Sequence, residues 1–345
     1  MDEAVKTFLE KAENGVLLDV RSPAEFSTSH IPGAISFPLF SDDERAKVGT
    51  AYKQVGQQYA FELGIEFVGP KMVNFVREAR SLSNGKPIFM YCWRGGMRSS
   101  SMAWLLRSAG MQVDLLPGGY KAYRRLVVDE LSLVQNLLVL GGMTGAGKTE
   151  VLRDLHDKGA QVVDLEGIAN HKGSAFGNLL DADQPTSEMF NNMVWKLVSK
   201  FSRSKPIWLE DESRSIGTVY ILEDFYQQMV KAPFVIIEKD RSERAEKLAR
   251  EYGALTPDLL KHGFEKIRKR LGGQHVSSAV EAIEKGDLKS AAEVGLAYYD
   301  KAYSHTIAKR LDDNQTTINA NGMAVSEISD MLLKNETELW KKKFD

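Results

Sequence analysis

The one cysteine of the 345-residue chain, Cys92, stands in Tyr91-Cys92-Trp93-Arg94-Gly95-Gly96-Met97-Arg98-Ser99. An apolar run, Pro87-Ile88-Phe89-Met90, precedes it, and a segment with helical periodicity, residues 99–108, follows. That order predicts a strand, a glycine-rich turn and a helix, with the thiol at the tip of the turn. Backbone N–H groups and the positive end of the helix dipole favour thiolate there, and equally an anionic sulfur or selenium atom carried on it. Arg94 and Arg98 add two positive charges to the same loop. A lone cysteine is more often a buried structural one. Two glycines and two arginines between a strand and a helix favour the reactive reading, so Cys92, Arg94 and Arg98 are the candidate catalytic residues.

A second group of residues suits phosphate. Gly142-Met143-Thr144-Gly145-Ala146-Gly147-Lys148-Thr149 fits the P-loop pattern of Gly, four residues, then Gly-Lys-Thr. An apolar strand-like run, residues 136–140, precedes it, and residues 150–157 have the pattern of a helix. Backbone N–H groups of Gly142, Thr144, Gly145, Ala146 and Gly147 can approach phosphate oxygens, and Lys148 adds a charge. The Thr149 hydroxyl suits Mg²⁺ and is the one metal ligand read here. A di- or triphosphate site follows; which ester it takes does not.

Both loops need sheets to position them. Residues 161–165, 206–209, 233–238 and 316–319 read as short buried strands separated by helical segments. Such alternation predicts a parallel sheet with helices on both faces, and ligand groups beyond the strand C-termini. Three polar stretches fall there: Asp164-Leu165-Glu166-Gly167, Glu210-Asp211-Glu212-Ser213-Arg214 and Lys239-Asp240-Arg241. The middle one follows its strand as a magnesium-supporting acidic motif should, with the metal-facing acid left open by three acids in a row. His171-Lys172-Gly173-Ser174-Ala175-Phe176-Gly177 combines cation, hydroxyl and glycine and reads as an anion-binding lid. The candidate substrate-binding residues are thus Asp164, Glu166, His171, Lys172, Ser174, Glu210, Glu212 and Arg214.

Residues 120–135 are amphipathic and helical rather than a Gly/Ser linker, which predicts a fixed relation between the two halves. Further on, residues 274–310 have helical periodicity that groups Leu296, Tyr298, Tyr299, Tyr303 and Ile307, a spacing that reads as core rather than as a base-stacking platform.

Length favours two domains over one. With 43% hydrophobic and 27% charged residues the composition is that of a soluble globular chain, and no apolar stretch is long enough for a membrane helix. A single cysteine excludes an internal disulfide and, with only 6 histidines, a cysteine-rich zinc site. The expected compartment is the reducing cytoplasm. Net charge is -2, so the whole-chain balance gives no sign of nucleic acid. Local charge says more. Arg94, Arg98, Arg107, Lys121, Arg124 and Arg125 face one acid, Asp114, and Lys261, Lys266, Arg268, Lys269 and Arg270 face one acid, Glu265. Such clusters suit a phosphate backbone, although a solvated helix face explains them equally well.

The cysteine loop resembles the active-site loop of the rhodanese family, and the likeness extends over residues 1–125. Leu17-Leu18-Asp19-Val20-Arg21-Ser22-Pro23-Ala24-Glu25-Phe26 is similar to that family's first strand and turn. His30-Ile31-Pro32-Gly33-Ala34-Ile35 resembles its next signature, and Val113-Asp114-Leu115-Leu116-Pro117-Gly118-Gly119-Tyr120 its closing strand and turn. The resemblance implies a persulfide or perselenide on Cys92, with Asp19 and Arg21 holding the fold. A rhodanese-like half followed directly by a P-loop half resembles the tRNA 2-selenouridine synthases. That likeness covers nearly the whole chain, including residues 44–54, 164–177 and 210–217. The expected class is therefore α/β. A rhodanese-like α/β domain over 1–125 is followed by a P-loop NTPase-like parallel-sheet domain over 126–345 with C-terminal helices.

This second resemblance implies replacement of sulfur by selenium in the wobble 2-thiouridine of tRNA. The sulfur is first alkylated by geranyl diphosphate, and selenium from selenophosphate then displaces it. Cys92 either carries selenium or orients selenophosphate through Arg94 and Arg98; the residues leave both open. A P-loop can hold the leaving diphosphate without hydrolysing ATP. Expected partners are the tRNA anticodon loop, geranyl diphosphate, selenophosphate and a protein that produces selenophosphate. No tightly bound organic cofactor and no membrane are expected. Arg124, Arg125, Lys266, Arg268, Lys269 and Arg270 become the candidate tRNA-binding residues. One rival is a sulfurtransferase fused to an ATP-dependent kinase-like domain. The other is a non-catalytic tRNA-binding protein with a degenerate P-loop, against which stand intact Cys92 and Lys148.

Overall fold

The computed structural model describes residues 2–171, 183–253, 255–307 and 315–341, without the side chains of 302 and 304–307. The chain forms two compact units, one of Met1–Glu130 with Asn191–Trp195, the other of Leu131–Phe190 with Lys196–Asp345.

The first unit holds four parallel strands, β1 (Val16–Asp19), β2 (Ile35–Ser36), β3 (Ile88–Tyr91) and β4 (Val113–Leu115), in the order β2-β1-β3-β4. Every residue of β3 is buried, as a central strand of a helix-covered sheet requires. Leu18, Met90, Phe75, Met102 and Leu106 share one core. Pairing of Asp19 with Tyr91 brings the turns after β1 and β3 off the same sheet edge. The first carries Arg21 and the second Cys92. The helix after the cysteine loop spans Met97–Ser108. Between β2 and β3 lie three α-helices, Asp42–Gln54, Gln57–Val68 and Met72–Ser83, the first two separated at Gly56, whose φ of 138° few other residues adopt.

The second unit is built on five parallel strands, β5 (Leu137–Gly142), β6 (Gln161–Val163), β7 (Ile207–Glu210), β10 (Phe234–Glu238) and β11 (Gln315–Asn319), ordered β11-β10-β5-β7-β6. A small antiparallel hairpin, β8 (Ser215–Ile216) with β9 (Val219–Tyr220), stands apart. The four strands expected after the phosphate loop all form. The last is only half-buried, as an edge strand is. β5 lies at the centre and is buried throughout, so the turn leaving its C-terminus sits above the middle of the sheet. Helices Lys148–Asp157 and Val325–Lys341 cover one face, packing Val151, Leu155, Ile328 and Leu332 onto Leu138, Leu140 and Val235. Helices Pro257–Lys266, Gly273–Glu284 and Leu288–Ile307 build a further core around Leu260, Phe264, Val276 and Ile283. Among the described residues no helix is long and apolar enough to cross a membrane.

Candidate functional site

Cys92 leaves the end of β3 and is held from below by the helix Gly119–Ser132, whose Tyr120 and Lys121 N–H groups donate to the carbonyls of Cys92 and Trp93 at 2.9 Å each. Gly119 makes that approach possible. Its φ is 61°, and a Cβ there would stand 2.4 Å from the Cys92 carbonyl. The sulfur rests at the start of the Met97–Ser108 helix, 3.2 Å from Ser99 Oγ and 3.8 Å from the carbonyl of the N-cap residue Gly96. The expectation of a thiol at the tip of the loop needs correction, because Cys92 is only 3% exposed. The arginines differ from expectation as well. Arg98 donates to Glu25 at 2.7 Å, so its charge is spent on a carboxylate rather than on sulfur. Burial pushes the Glu25 carboxyl up, but the hydrogen bond and charge of Arg98 outweigh it and hold that carboxyl below the usual range. Arg94 is exposed on the loop. Asp19 and Arg21 are buried against each other, Arg21 also donating to the Ser29 carbonyl at 2.7 Å, which is the role of holding the fold.

In the second unit the phosphate loop has the form its residues require. Gly145 and Gly147 have φ of 82° and 94°, and the helix Lys148–Asp157 begins at once behind them. Lys148 Nζ donates to the Gly142 carbonyl at 2.8 Å, and Thr149 lies in the first turn of the helix. Glu150, in that same turn, pairs with Lys247, which holds its carboxyl low against the upward push of burial.

Across from Lys148 lie three carboxylates. Oxygens of Glu166, Glu210 and Glu212 come within 4.8 Å of one another. The period of two along an extended chain selects them: Glu210 and Glu212 turn to one side, whereas Asp211 accepts from the Tyr303 hydroxyl at 3.0 Å. Glu210 is 1% exposed and accepts from the Glu166 N–H at 2.8 Å. Burial, then the charge of Glu166, push its carboxyl up to about 8, with Lys148 offsetting part of the rise. Glu212 is driven well up as well, by burial and then by Glu210. Carboxylate oxygens crowded in this way, those of Glu210 buried and those of Glu166 and Glu212 half-buried, are donors that fit Mg²⁺.

The remaining expectations fare unevenly. Asp164 caps the short helix Leu165–Ile168, accepting from the Gly167 N–H at 2.7 Å. Arg214 is exposed and paired with Glu223 at 2.7 Å. The His171 N–H donates to the Glu166 carbonyl at 3.1 Å, which ties the chain beyond the carboxylates back to them. Lys172 and Ser174 lie outside the described residues. Arg124 is half-buried and donates to Asn192, and Arg268 is bound by Glu265 at 2.6 Å, so neither is a bare cation for a phosphate backbone. Arg125, Lys266, Lys269 and Arg270 are exposed.

Two residues at the phosphate loop escaped the sequence reading. Tyr303, read as core, accepts from the Gly142 N–H at 2.9 Å and so links the loop's first residue to Asp211. Arg244, 3% exposed, donates to the Thr144 carbonyl at 3.1 Å and to both oxygens of Asp300 at 2.8 and 2.9 Å. It braces the loop from beneath. Its only sequence signal was an arginine on an otherwise apolar stripe of the helix Arg241–Tyr252.

Comparison with known proteins agrees with this arrangement. A family model described as a rhodanese-like domain matches residues 3–126, and one described as the tRNA 2-selenouridine synthase AAA domain matches residues 135–336. A protein of Psychromonas ingrahamii named tRNA 2-selenouridine synthase is 32% identical over 86% of this chain and 89% of its own length. Proteins of the same name from Pseudomonas syringae pv. tomato and Cronobacter sakazakii are each 34% identical, over 84% and 85% of this chain and 87% of theirs. Matched in both halves and over most of its length, the chain belongs to the tRNA 2-selenouridine synthase family.

Proposed function

We propose that this protein is a cytoplasmic tRNA-modifying transferase that replaces sulfur by selenium in wobble 2-thiouridine, in two steps. In the first, the thiocarbonyl sulfur attacks C1 of geranyl diphosphate, diphosphate leaves, and the N3 proton of the base is lost. Alkylation turns a poor leaving group into a better one. In the second, the selenium of selenophosphate attacks C2, geranylthiolate leaves, and water cleaves the P–Se bond to release phosphate and 2-selenouridine. The observation that carries this reading is the presence, in one chain, of a cysteine whose sulfur rests at the start of a helix and a phosphate loop whose Lys148 offsets the charge of a carboxylate cluster. The names of the relatives supply tRNA and selenium.

Lys148 and the loop N–H groups would neutralise the charge that develops on the leaving diphosphate. Mg²⁺, held by Glu210, Glu212 and Thr149, would supply further charge to the same oxygens. In the other unit, Cys92 takes the selenium half-reaction, either orienting selenophosphate or, where a donor of selenium(0) and a reducing thiol are supplied, carrying the selenium as a perselenide. Exposed Arg125, and separately Lys266, Lys269 and Arg270, would meet the tRNA backbone while the wobble base is turned out of its single-stranded loop.

Mass spectrometry of tRNA nucleosides after incubation with each small substrate tests the whole scheme. Geranyl diphosphate alone should yield S-geranyl-2-thiouridine, selenophosphate alone nothing, and the two together 2-selenouridine. Selenation without geranyl diphosphate would sink the two-step order.

Glu210 gives the cation a separate test. Its carboxyl is raised in the folded chain to about 8 from an ordinary 4.5. The stability it contributes is therefore complete below about 4.5 and is lost as pH rises through about 8. Without divalent ions, melting temperature should fall between pH 6.5 and 8.5 by roughly 4–8 °C, at about 2–4 °C for each of the ~2 kcal/mol that this span removes in a domain of this size. Mg²⁺ should restore it at pH 8.5 and do little at pH 5.5, and Glu210→Gln should flatten both effects. Equal melting temperatures with and without Mg²⁺ at pH 8.5 would remove the ion from this site.

A further inference from the structure

An apolar slot opens beside the phosphate loop, within the second unit. Its walls come from helices Arg241–Tyr252, Pro257–Lys266, Gly273–Glu284 and Leu288–Ile307, and from Thr144 of the loop itself. Leu248, Leu260, Phe264, Leu288 and Leu296 line it. Among the described lining residues, Thr144 and the two tyrosines Tyr252 and Tyr299 bring the only hydroxyls, and none is charged. Leu248 also touches the loop: a Cβ on Gly145 would stand 3.2 Å from its Cγ. The free volume of about 50 Å³ is roughly four times the ~10–15 Å³ that admits one water and a third of the ~150 Å³ that admits a benzene ring, so it takes the first carbons of a slender chain and must widen between the helices for the rest.

We propose that this slot receives the hydrocarbon tail of a prenyl diphosphate whose diphosphate lies on the phosphate loop, an inference that rests on the function proposed above. Thr144 belongs both to the loop that holds the phosphates and to the wall of the slot, so head and tail of one ligand can be continuous. A nucleobase is a poor occupant, because its polar edge would be buried against aliphatic groups that offer it no partners. A branched hydrocarbon chain asks only for apolar surface. Gly295 keeps the slot open from the middle of the Leu288–Ile307 helix. A Cβ there would make ordinary contact with Phe264 at 3.5 Å, so a longer side chain would run on into the space the tail needs.

Binding of inorganic diphosphate, dimethylallyl diphosphate and geranyl diphosphate to the full chain, followed by calorimetry, tests the assignment. Each buried methylene is worth roughly fourfold in affinity, so geranyl diphosphate should bind at least ~30-fold tighter than dimethylallyl diphosphate. In Gly295→Leu that gain should shrink to within about threefold, while inorganic diphosphate binds as in the wild type. Ala292→Leu, entering the slot from the neighbouring turn, should do the same and decides the matter if Gly295→Leu fails to fold in a thermal melt. Equal affinity for all three ligands in the wild type would overturn the tail site and leave the phosphate loop standing. A chain-length gain that persists in both folded variants would overturn it too. Failure of any diphosphate to bind would remove the proposed function and the tail site together.

Discussion

Lys148→Ala should lose geranyl transfer to tRNA by roughly 10- to 100-fold, the equivalent of the 1.5–3 kcal/mol of a hydrogen bond to a charged group. The argument is geometric. Lys148 Nζ rests on the Gly142 carbonyl, at the junction of the central strand and the glycine turn, where the phosphates of a loop-bound ligand gather. Its charge also offsets part of the rise that burial, and then mutual repulsion, impose on Glu210 and Glu212. Removing it therefore strips a cation from the leaving group and leaves a more crowded set of acids opposite. Thr149→Ala should cost less, because it removes a neutral ligand and leaves the charge. Single-turnover geranylation followed by nucleoside mass spectrometry measures both. Wild-type rates in the two variants would mean that the loop serves another ligand, and ATP turnover on the same preparation would then revive the kinase-like reading.

The residues that were legible in the sequence share one property: their chemistry is set by neighbours along the chain. The phosphate loop is eight consecutive residues after an apolar strand, and the strand, the glycines and the helix all form where that pattern requires. The same holds for the parallel strands, whose buried runs are local. What stayed hidden depends on partners distant in sequence. Tyr303 reaches the loop from a late helix, and only the folded chain brings its hydroxyl between Gly142 and Asp211. Arg98 looked like a charge for the sulfur because nothing nearby in sequence reveals Glu25, which comes from the first turn of another helix. Asp164 looked like a ligand because an acid at a strand end and an acid capping a short helix are written with the same residue. Local spacing also settled a question that sequence left open. Glu210 and Glu212 face the site and Asp211 does not, an alternation that carries on past Glu210, the strand's last residue.

Cys92→Ala should drive selenium incorporation down to the uncatalysed background, a loss on the order of 10³-fold or more, as for removal of a catalytic nucleophile, while geranylation continues. The separation follows from the fold. Cys92 belongs to the unit of Met1–Glu130 and the phosphate loop to the other, each with its own core. The sulfur is small and buried, with Ser99 and the Gly96 carbonyl as its hydrogen-bonding neighbours, so alanine removes a weak polar contact without opening a large cavity. Fold and phosphate loop should therefore survive the change, and a thermal melt close to wild type will verify this. Cys92→Ser separates the two roles left open for the residue. Serine keeps a hydrogen-bonding atom against Ser99 but cannot carry selenium as a perselenide. If the cysteine is the carrier, serine should be as inactive as alanine. If it only orients selenophosphate, serine should keep a substantial part of the yield. A normal selenouridine yield from Cys92→Ala would end the carrier role outright and leave the loop, through its N–H groups and Arg94, as a positioning device alone.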